Sequence, residues 1–307
     1  GGVVELGPVP LRYRLMVGNG LGANLWIGTG DRMYGITNRD CGGASSGGAP
    51  DLTQYQTWIT NLSKGLGSQV VIIVLETDSI ALQTCLSGDT LNARNQALST
   101  ATRTIKAANA NAKVYLDGGH SAWNSASVQA SRMQAAGMQY ADGFYTNVSN
   151  FQSTANEANY GRSVISALSG LGLAGKRQII DTSRNGGAAG DWCADDNTDR
   201  RIGQYPTLNT GDANIDGYVW VKPPGEADGC SFSAGSFQPA LAYSLASSAP
   251  NPPSTSPDTP SSPPSSPSSP PSSPSSPPAS SSSPPASSSP PPVTGVCSAT
   301  YAITGSW

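Results

Sequence analysis

Apolar residues in this chain fall into short solid runs, separated by amphipathic stretches and by polar, glycine-rich loops. The densest run is Val-Val-Ile-Ile-Val-Leu at residues 70–75, and it stops at Glu76-Thr77-Asp78. An unbroken β-branched run suits a strand buried on both faces, as in a parallel sheet covered by helices. The design recurs. Residues 113–116, 143–146, 177–180 and 218–221 read as strands that end in Asp117-Gly118-Gly119-His120, Asn147-Val148-Ser149-Asn150, Asp181-Thr182-Ser183-Arg184 and Lys222-Pro223-Pro224-Gly225-Glu226. Helical spacing fills the intervals. A helix opened by Asp51 carries Tyr55, Trp58, Ile59 and Leu62, and others are expected over 92–110, 127–136, 155–171 and 238–247.

Strand, polar end and helix, repeated about five times, imply a parallel sheet with right-handed crossovers. Ionisable or hydrogen-bonding groups at every strand end suit a barrel with its active site on that face. An open doubly wound sheet is the alternative, but it usually carries a glycine-rich phosphate loop, which is lacking here. Residues 1–33 show no clean period. Residues 251–292 are almost entirely Pro and Ser, the composition of an extended spacer. After it, Val296 to Trp307 alternates apolar and polar like the first strand of another module.

The net charge of −3 gives no basic surface for nucleic acid, and no apolar run is long enough to span a membrane. Only 12% of residues are charged, a composition common in secreted proteins that act on neutral polymers. The five cysteines form no Cys-x-x-Cys pair and His120 is the single histidine, so no metal site and no cofactor are expected. The wide cysteine spacing favours disulfides and an oxidising, extracellular compartment. Nothing signals an oligomer, and a monomer is expected.

The strand ends gather Asp40, Asp78, Asp117, Asp181, Glu226 and Asp228, with Arg39, Arg184 and Lys222 as cations and Tyr34, Trp123, Trp192 and Trp220 interleaved. Carboxylates and indoles without a metal or a nucleophile–base pair suit glycoside hydrolysis. One carboxylic acid protonates the leaving oxygen while another carboxylate handles water, and aromatic faces stack on sugar rings. For Asp78 the competing reading is an N-cap of the following helix. Trp58 is expected in the core.

The motifs Asn38-Arg39-Asp40-Cys41-Gly42, Leu75-Glu76-Thr77-Asp78, Leu116-Asp117-Gly118-Gly119-His120-Ser121-Ala122-Trp123, Asp181-Thr182-Ser183-Arg184-Asn185-Gly186 and Lys222-Pro223-Pro224-Gly225-Glu226-Ala227-Asp228-Gly229-Cys230 together resemble glycoside hydrolase family 6, the cellulases. The resemblance implies a distorted seven-stranded α/β barrel over 34–248 that hydrolyses β-1,4-glucan with inversion. By it, Asp78 is the general acid, Asp40 raises its pKa and helps to place water, and Asp228 is the candidate base. Tyr34 lies under the distorted sugar. Arg39, Ser46, Asp117, His120, Trp123, Asn147, Trp192, Lys222 and Glu226 bind the glucan, and the disulfides are Cys41–Cys85 and Cys193–Cys230. Both cysteine-bracketed segments are short, as in bacterial endoglucanases, which favours an open cleft. An exo-acting cellobiohydrolase and a glucan-binding fragment without catalysis are the alternatives.

Residues 249–293 are then a disordered linker, and 294–307 resemble the start of a family 2 cellulose-binding module that stops early and leaves Cys297 unpaired. Two departures bear on the fold. Thr77 stands where the family has proline, which predicts a looser aim for Asp78. Residues 1–33 offer no counterpart of the family's first strand, which predicts a missing stave and lower stability.

Overall fold

The computed structural model describes residues 32–247 and 249, apart from 69 and 196–198. The N-terminal segment up to residue 31, the Pro/Ser spacer and the expected binding-module strand with Cys297 lie outside these residues.

Six parallel strands form one sheet in the order β1-β2-β3-β4-β5-β6. They are β1 Arg32–Met33, β2 Ile72–Leu75, β3 Lys113–Asp117, β4 Gly143–Thr146, β5 Arg177–Asp181 and β6 Ile215–Val219. Helices α1 Leu52–Lys64, α2 Gly88–Ala108, α3 Ala126–Ala135, α4 Thr154–Gly170 and α5 Pro239–Ala246 make up the rest. Side chains alternate between two apolar layers, which explains the solid runs. Ile73, Leu75, Val114, Leu116 and Phe144 face the helix-side core with Ile59, Leu98, Ile105, Met133 and Val164. Val74, Tyr115, Tyr145, Ile179, Val219 and Val221 fill the inner side of the curved sheet. Trp58 is buried, as expected.

The sheet curls far enough that its two edges meet through their loops. Gly229, after β6, has φ +109°, and a Cβ there would lie 2.8 Å from Cβ of Ala44, after β1. Glycine alone permits both that backbone and that approach.

Helix starts follow capping chemistry. The Asp51, Ser125 and Ser153 side chains accept from the N–H groups of Gln54, Val128 and Asn156. At α2 the Ser87 N–H donates to the Thr90 hydroxyl at 3.1 Å, so the helix begins at Gly88, earlier than apolar spacing marks. The last strand also begins and ends earlier than expected, because a register shift opposite Gln178 and Ile179 displaces its pairing.

Candidate active site

Every strand delivers its chemistry at its C-terminal end. The loop after β1 begins with Tyr34, whose ring is buried beneath the Arg39 guanidinium, 4.7 Å from its centroid. Arg39 is engaged by backbone: Nη1 donates to the Tyr34 carbonyl at 2.6 Å, Nε to Ser45 O at 2.7 Å and Nη2 to Ser46 O at 3.4 Å. Ser46 itself is exposed on that loop. Asp40 Oδ2 accepts the Ser45 N–H at 2.8 Å. Arg94 of α2 donates to the carbonyls of Thr37 and Asn38 at 2.7 and 2.9 Å, so the loop is fixed along its length.

After β2 come Glu76, Thr77 and Asp78. Glu76 is fully buried, and its Oε2 accepts the N–H groups of Gly35 and Ile36. Asp78 is half-buried and followed by turns, and the next helix starts at Gly88, so Asp78 is no helix cap. In place of a proline's fixed φ, contacts hold this turn. Buried Asp117 accepts the N–H groups of Ile80 and Ala81 through Oδ2 and that of Gly119 through Oδ1. The Cys41–Cys85 disulfide ties the Asp40 loop to the segment beyond Asp78. Burial pushes the Asp117 carboxyl above the usual carboxylate range, against the pull of those amides.

Left-handed backbone concentrates here. Among the described non-glycine residues, Asn38, Asp40, Cys41, Glu76, Asp78, Asn147 and Ser149 have positive φ, and all lie in loops after β1, β2 and β4. Such a conformation costs an L-residue about 1–2 kcal/mol, and it persists where surrounding contacts over-determine it.

After β3, the half-buried His120 packs on Trp123, with ring centroids 5.4 Å apart. Burial pushes the imidazole down to about 4. Its Nδ1 accepts the Ala122 N–H, so the neutral ring carries its proton on Nε2 and offers a donor there. Trp123 is 39% exposed and Trp192 54%, enough for each to present an indole surface to a ligand. Asn147, after β4, is fully buried. Its amide donates to the carbonyls of Gln152 and Asp181, and its oxygen accepts the Gln152 N–H. Both Asp117 and Asn147 therefore brace strand-end loops from within.

The far side is built from charge pairs. Asp228 Oδ2 receives Arg184 Nη1 at 2.9 Å and the Ala194 N–H at 3.0 Å, while Oδ1 lies 3.2 Å from Lys222 Nζ. Lys222 also meets the Ala227 carbonyl at 3.0 Å and Glu226 at 3.4 Å. Arg184, Lys222 and Asp228 are all buried. Asp181 Oδ2 accepts the Lys222 N–H, and burial pushes that carboxyl up. Trp220 points the other way, stacked on Tyr205 at 5.3 Å beside Phe151 and Leu241.

Asp195 is a residue that motif reading passed over. Its Oδ1 accepts the Asp228 N–H at 2.6 Å, and Oδ2 accepts those of Gly229, Cys230, Ser231 and Phe232 at 3.1–3.3 Å. Burial works against its ionisation, but the amides outweigh it and hold the carboxyl below the usual range. The Cys193–Cys230 disulfide clamps the same loop. Cys193, Asp195 and Cys230 bring metal-type ligand atoms within 4.8 Å of one another, but the sulfurs are bonded together and the carboxylate is filled by amides, so the group does not suit a metal.

Carboxylates and two exposed indoles thus lie in the loops at the strand ends of a curled parallel sheet. Residues 32–254 match the family model for glycosyl hydrolases family 6. The chain belongs to this family. It is 43% identical over 224 residues to endoglucanase A of Thermobispora bispora, covering 72% of this chain and 48% of that relative. It is 41% identical over 216 residues to endoglucanase 1 of Streptomyces sp. strain KSM-9, covering 69% and 58%. The chain thus spans about half the length of these relatives. Among solved structures, the endoglucanase Cel6 from Mycobacterium tuberculosis, in complex with methyl-cellobiosyl-4-deoxy-4-thio-β-D-cellobioside, superposes with a TM-score of 0.64 at 38% identity, covering 70% of this chain and 73% of that one. No helix among the described residues is long and apolar enough to cross a membrane.

Proposed function

We propose that the chain carries the catalytic domain of a secreted endo-β-1,4-glucanase that cuts cellulose with inversion at the anomeric carbon. Family membership together with the two-sided carboxylate site carries this reading. Asp78 is the general acid. Asp40, on the neighbouring disulfide-tied loop, supports its protonated form by like charge and helps to orient water. Asp228 is the base, oriented by Arg184 and the Ala194 amide. Tyr34 underlies the distorted sugar. His120, Trp123, Trp192, Lys222 and Glu226 contact the glucan, with Arg39 and Ser46 forming the lip beside Tyr34. Asp117 and Asn147 serve the glucan by holding the loops that face it.

The short separations between the bonded cysteines, 44 and 37 positions along the chain, favour an open cleft and attack within the chain. The seven-stranded barrel belongs to the same proposal, supported by six parallel strands and by the meeting of the Ala44 and Gly229 loops. So do the domain division, with a catalytic unit over 34–248, a Pro/Ser spacer over 249–293 and a cellulose-binding module from 294, and the action of the enzyme as a monomer.

Viscosity and reducing sugar, followed together on carboxymethyl cellulose, test the reading. Rapid thinning with modest sugar release supports endo attack. Sugar release without thinning supports a cellobiohydrolase. Calorimetric binding of cellotetraose without any hydrolysis supports a glucan-binding protein.

A further inference from the structure

Glu76 stands between the loop that carries Tyr34 and the turn that carries Asp78, and the roles assigned above leave it unused. Its Oε2 accepts the N–H groups of Gly35 and Ile36, each at 2.9 Å. Its own N–H donates to the Met33 carbonyl at 2.7 Å, so the side chain and backbone of one residue bracket Tyr34 on both sides. The remaining freedom of that loop is taken up elsewhere. Arg39 holds the Tyr34 carbonyl, and the Ala49 N–H holds the Gly35 carbonyl at 2.8 Å. Gly35 lies flat on Trp58, where a Cβ would sit 2.9 Å from the indole. The Glu76 oxygen is therefore the acceptor on which two successive buried amides depend. Without it both lose their partner, at a cost that favours relaxation of the loop.

We propose that Glu76 is a positioning residue for hydrolysis: its carboxyl locks the Tyr34 loop to the Asp78 turn, so that the ring under the sugar and the acid keep a constant spacing. The proposal rests on the glucanase reading above. Glu76 acts through backbone amides and touches no substrate.

Its protonation supplies a direct reporter. Burial pushes the carboxyl up to about 7, against the two amides, the Tyr55 hydroxyl and Arg39. The groups that face it are Tyr55 from α1, Arg94 from α2, Arg39 from the β1 loop and Tyr145 from β4. Below that pH it is a neutral acid serving both amides. Above it the same amides face a carboxylate, and their resonances shift.

The full chain is compared as wild type, Glu76→Gln, Glu76→Asp and Glu76→Leu. Gln keeps an oxygen for the amides, Asp keeps the charge but is one methylene short, and Leu keeps only bulk. On cellohexaose, Gln is expected to stay within about threefold of wild-type kcat, while Asp and Leu fall by about tenfold or more with little change in KM. In amide NMR, Gly35 and Ile36 titrate with a midpoint near 7 in wild type and stay flat in Gln. Folded Asp and Leu variants with wild-type turnover would overturn the proposal. Equal losses in Gln and Leu would overturn it in favour of a role for the charge, and Gly35 and Ile36 amide resonances that are the same in wild type and Leu would remove its geometric basis. If Leu fails to fold by circular dichroism, the Gln and Asp pair decides. If wild type cleaves no β-glucan, the glucanase reading fails by itself. The Gly35 and Ile36 amide resonances of wild type against Leu, with calorimetry of cellotetraose on wild type and the Asp variant, still decide whether Glu76 holds the loop.

Discussion

The loops around Asp78 and those around Asp228 are held by different chemistry. On the Asp78 side, backbone contacts stand out. Arg39 and Arg94 donate to the backbone carbonyls of Tyr34, Thr37, Asn38, Ser45 and Ser46, while Glu76 and Asp117 accept backbone amides. On the Asp228 side cations and carboxyl meet directly, with Arg184 and Lys222 on Asp228. In the first arrangement desolvation dominates, and both Glu76 and Asp117 are pushed up in spite of Arg39 and Arg132. The second sets Asp228 between two buried cations; beside it burial still pushes Asp181 up, while backbone amides pull Asp195 down. An inverting glycosidase needs one carboxyl that holds a proton and one that does not. Under the proposed roles, Asp78 is the first and Asp228 the second, and the frameworks around them differ as well.

Substitution of the reacting acid should break this contrast hardest. Asp78→Ala should lower kcat on unactivated cellulose by roughly two to four orders of magnitude. Its melting temperature should fall only modestly, since Asp78 is half-buried and its turn is anchored by neighbours, although alanine tolerates the φ of 62° less well than aspartate. Unchanged turnover would remove Asp78 from the role of acid. Wild-type activity should also fall on the alkaline side of its pH profile as the acid loses its proton.

Arg184→Leu probes the other side and should read out first as stability. It leaves Asp228 with one cation and strips the Ser149 carbonyl of its 2.6 Å partner. Removing one member of a buried pair costs about 3–5 kcal/mol, measurable by urea unfolding. A loss as small as that of an exposed ion pair would show that Lys222 alone sustains Asp228.

The framework difference also marks where sequence reasoning reached. Apolar runs announced β2 to β5, because both faces of those strands are dry and the residues had to be apolar. Arg32–Met33 carried no signal, since two residues cannot display a period. The last strand was placed late because Asp216 and Gly217 interrupt its apolar pattern where the register shifts. At the strand ends, residue type marked chemistry but not its direction. Asp117 and Asn147 look in sequence like cleft residues, and only burial and hydrogen bonding show that they face inward. Asp195 was invisible for a related reason: its partners are five backbone amides, and any sequence supplies amides. The paired cysteines followed from family resemblance, and the Cys41–Cys85 and Cys193–Cys230 bridges are both present.

A gentler change on the acid side should appear only as a pH dependence. Glu76 binds its proton more tightly in the folded chain, about 7 against an ordinary 4.5. Between those values the native state holds more protons than the unfolded one, so this group's contribution to stability is lost as pH rises through the window. Other buried groups move too. Asp117 and Asp181 add to the decline with rising pH, and His120, pushed down, opposes it on the acid side. Comparison with Glu76→Gln removes those shared contributions. The stability difference should widen in favour of Gln by up to about 1.4 kcal/mol per pH unit between 4.5 and 7. Parallel stability curves across that range would mean that the carboxyl is solvated and that the acid-side framework is not dry.

The smallest expected effect lies at the rim, where neither framework reaches. Trp192 is 54% exposed and belongs to the loop that Cys193 clamps to Cys230. An indole in that position has little folding energy to lose, so Trp192→Ala should leave thermal unfolding unchanged. Its ring surface matters only when a sugar covers it. Stacking of this kind is worth about 1 kcal/mol, so affinity for cello-oligosaccharides should weaken several-fold, with kcat at saturation nearly constant. A fall in kcat with unchanged affinity would instead mean that the indole holds the loop around Asp228, and would place Trp192 inside the ion-paired framework rather than at its edge.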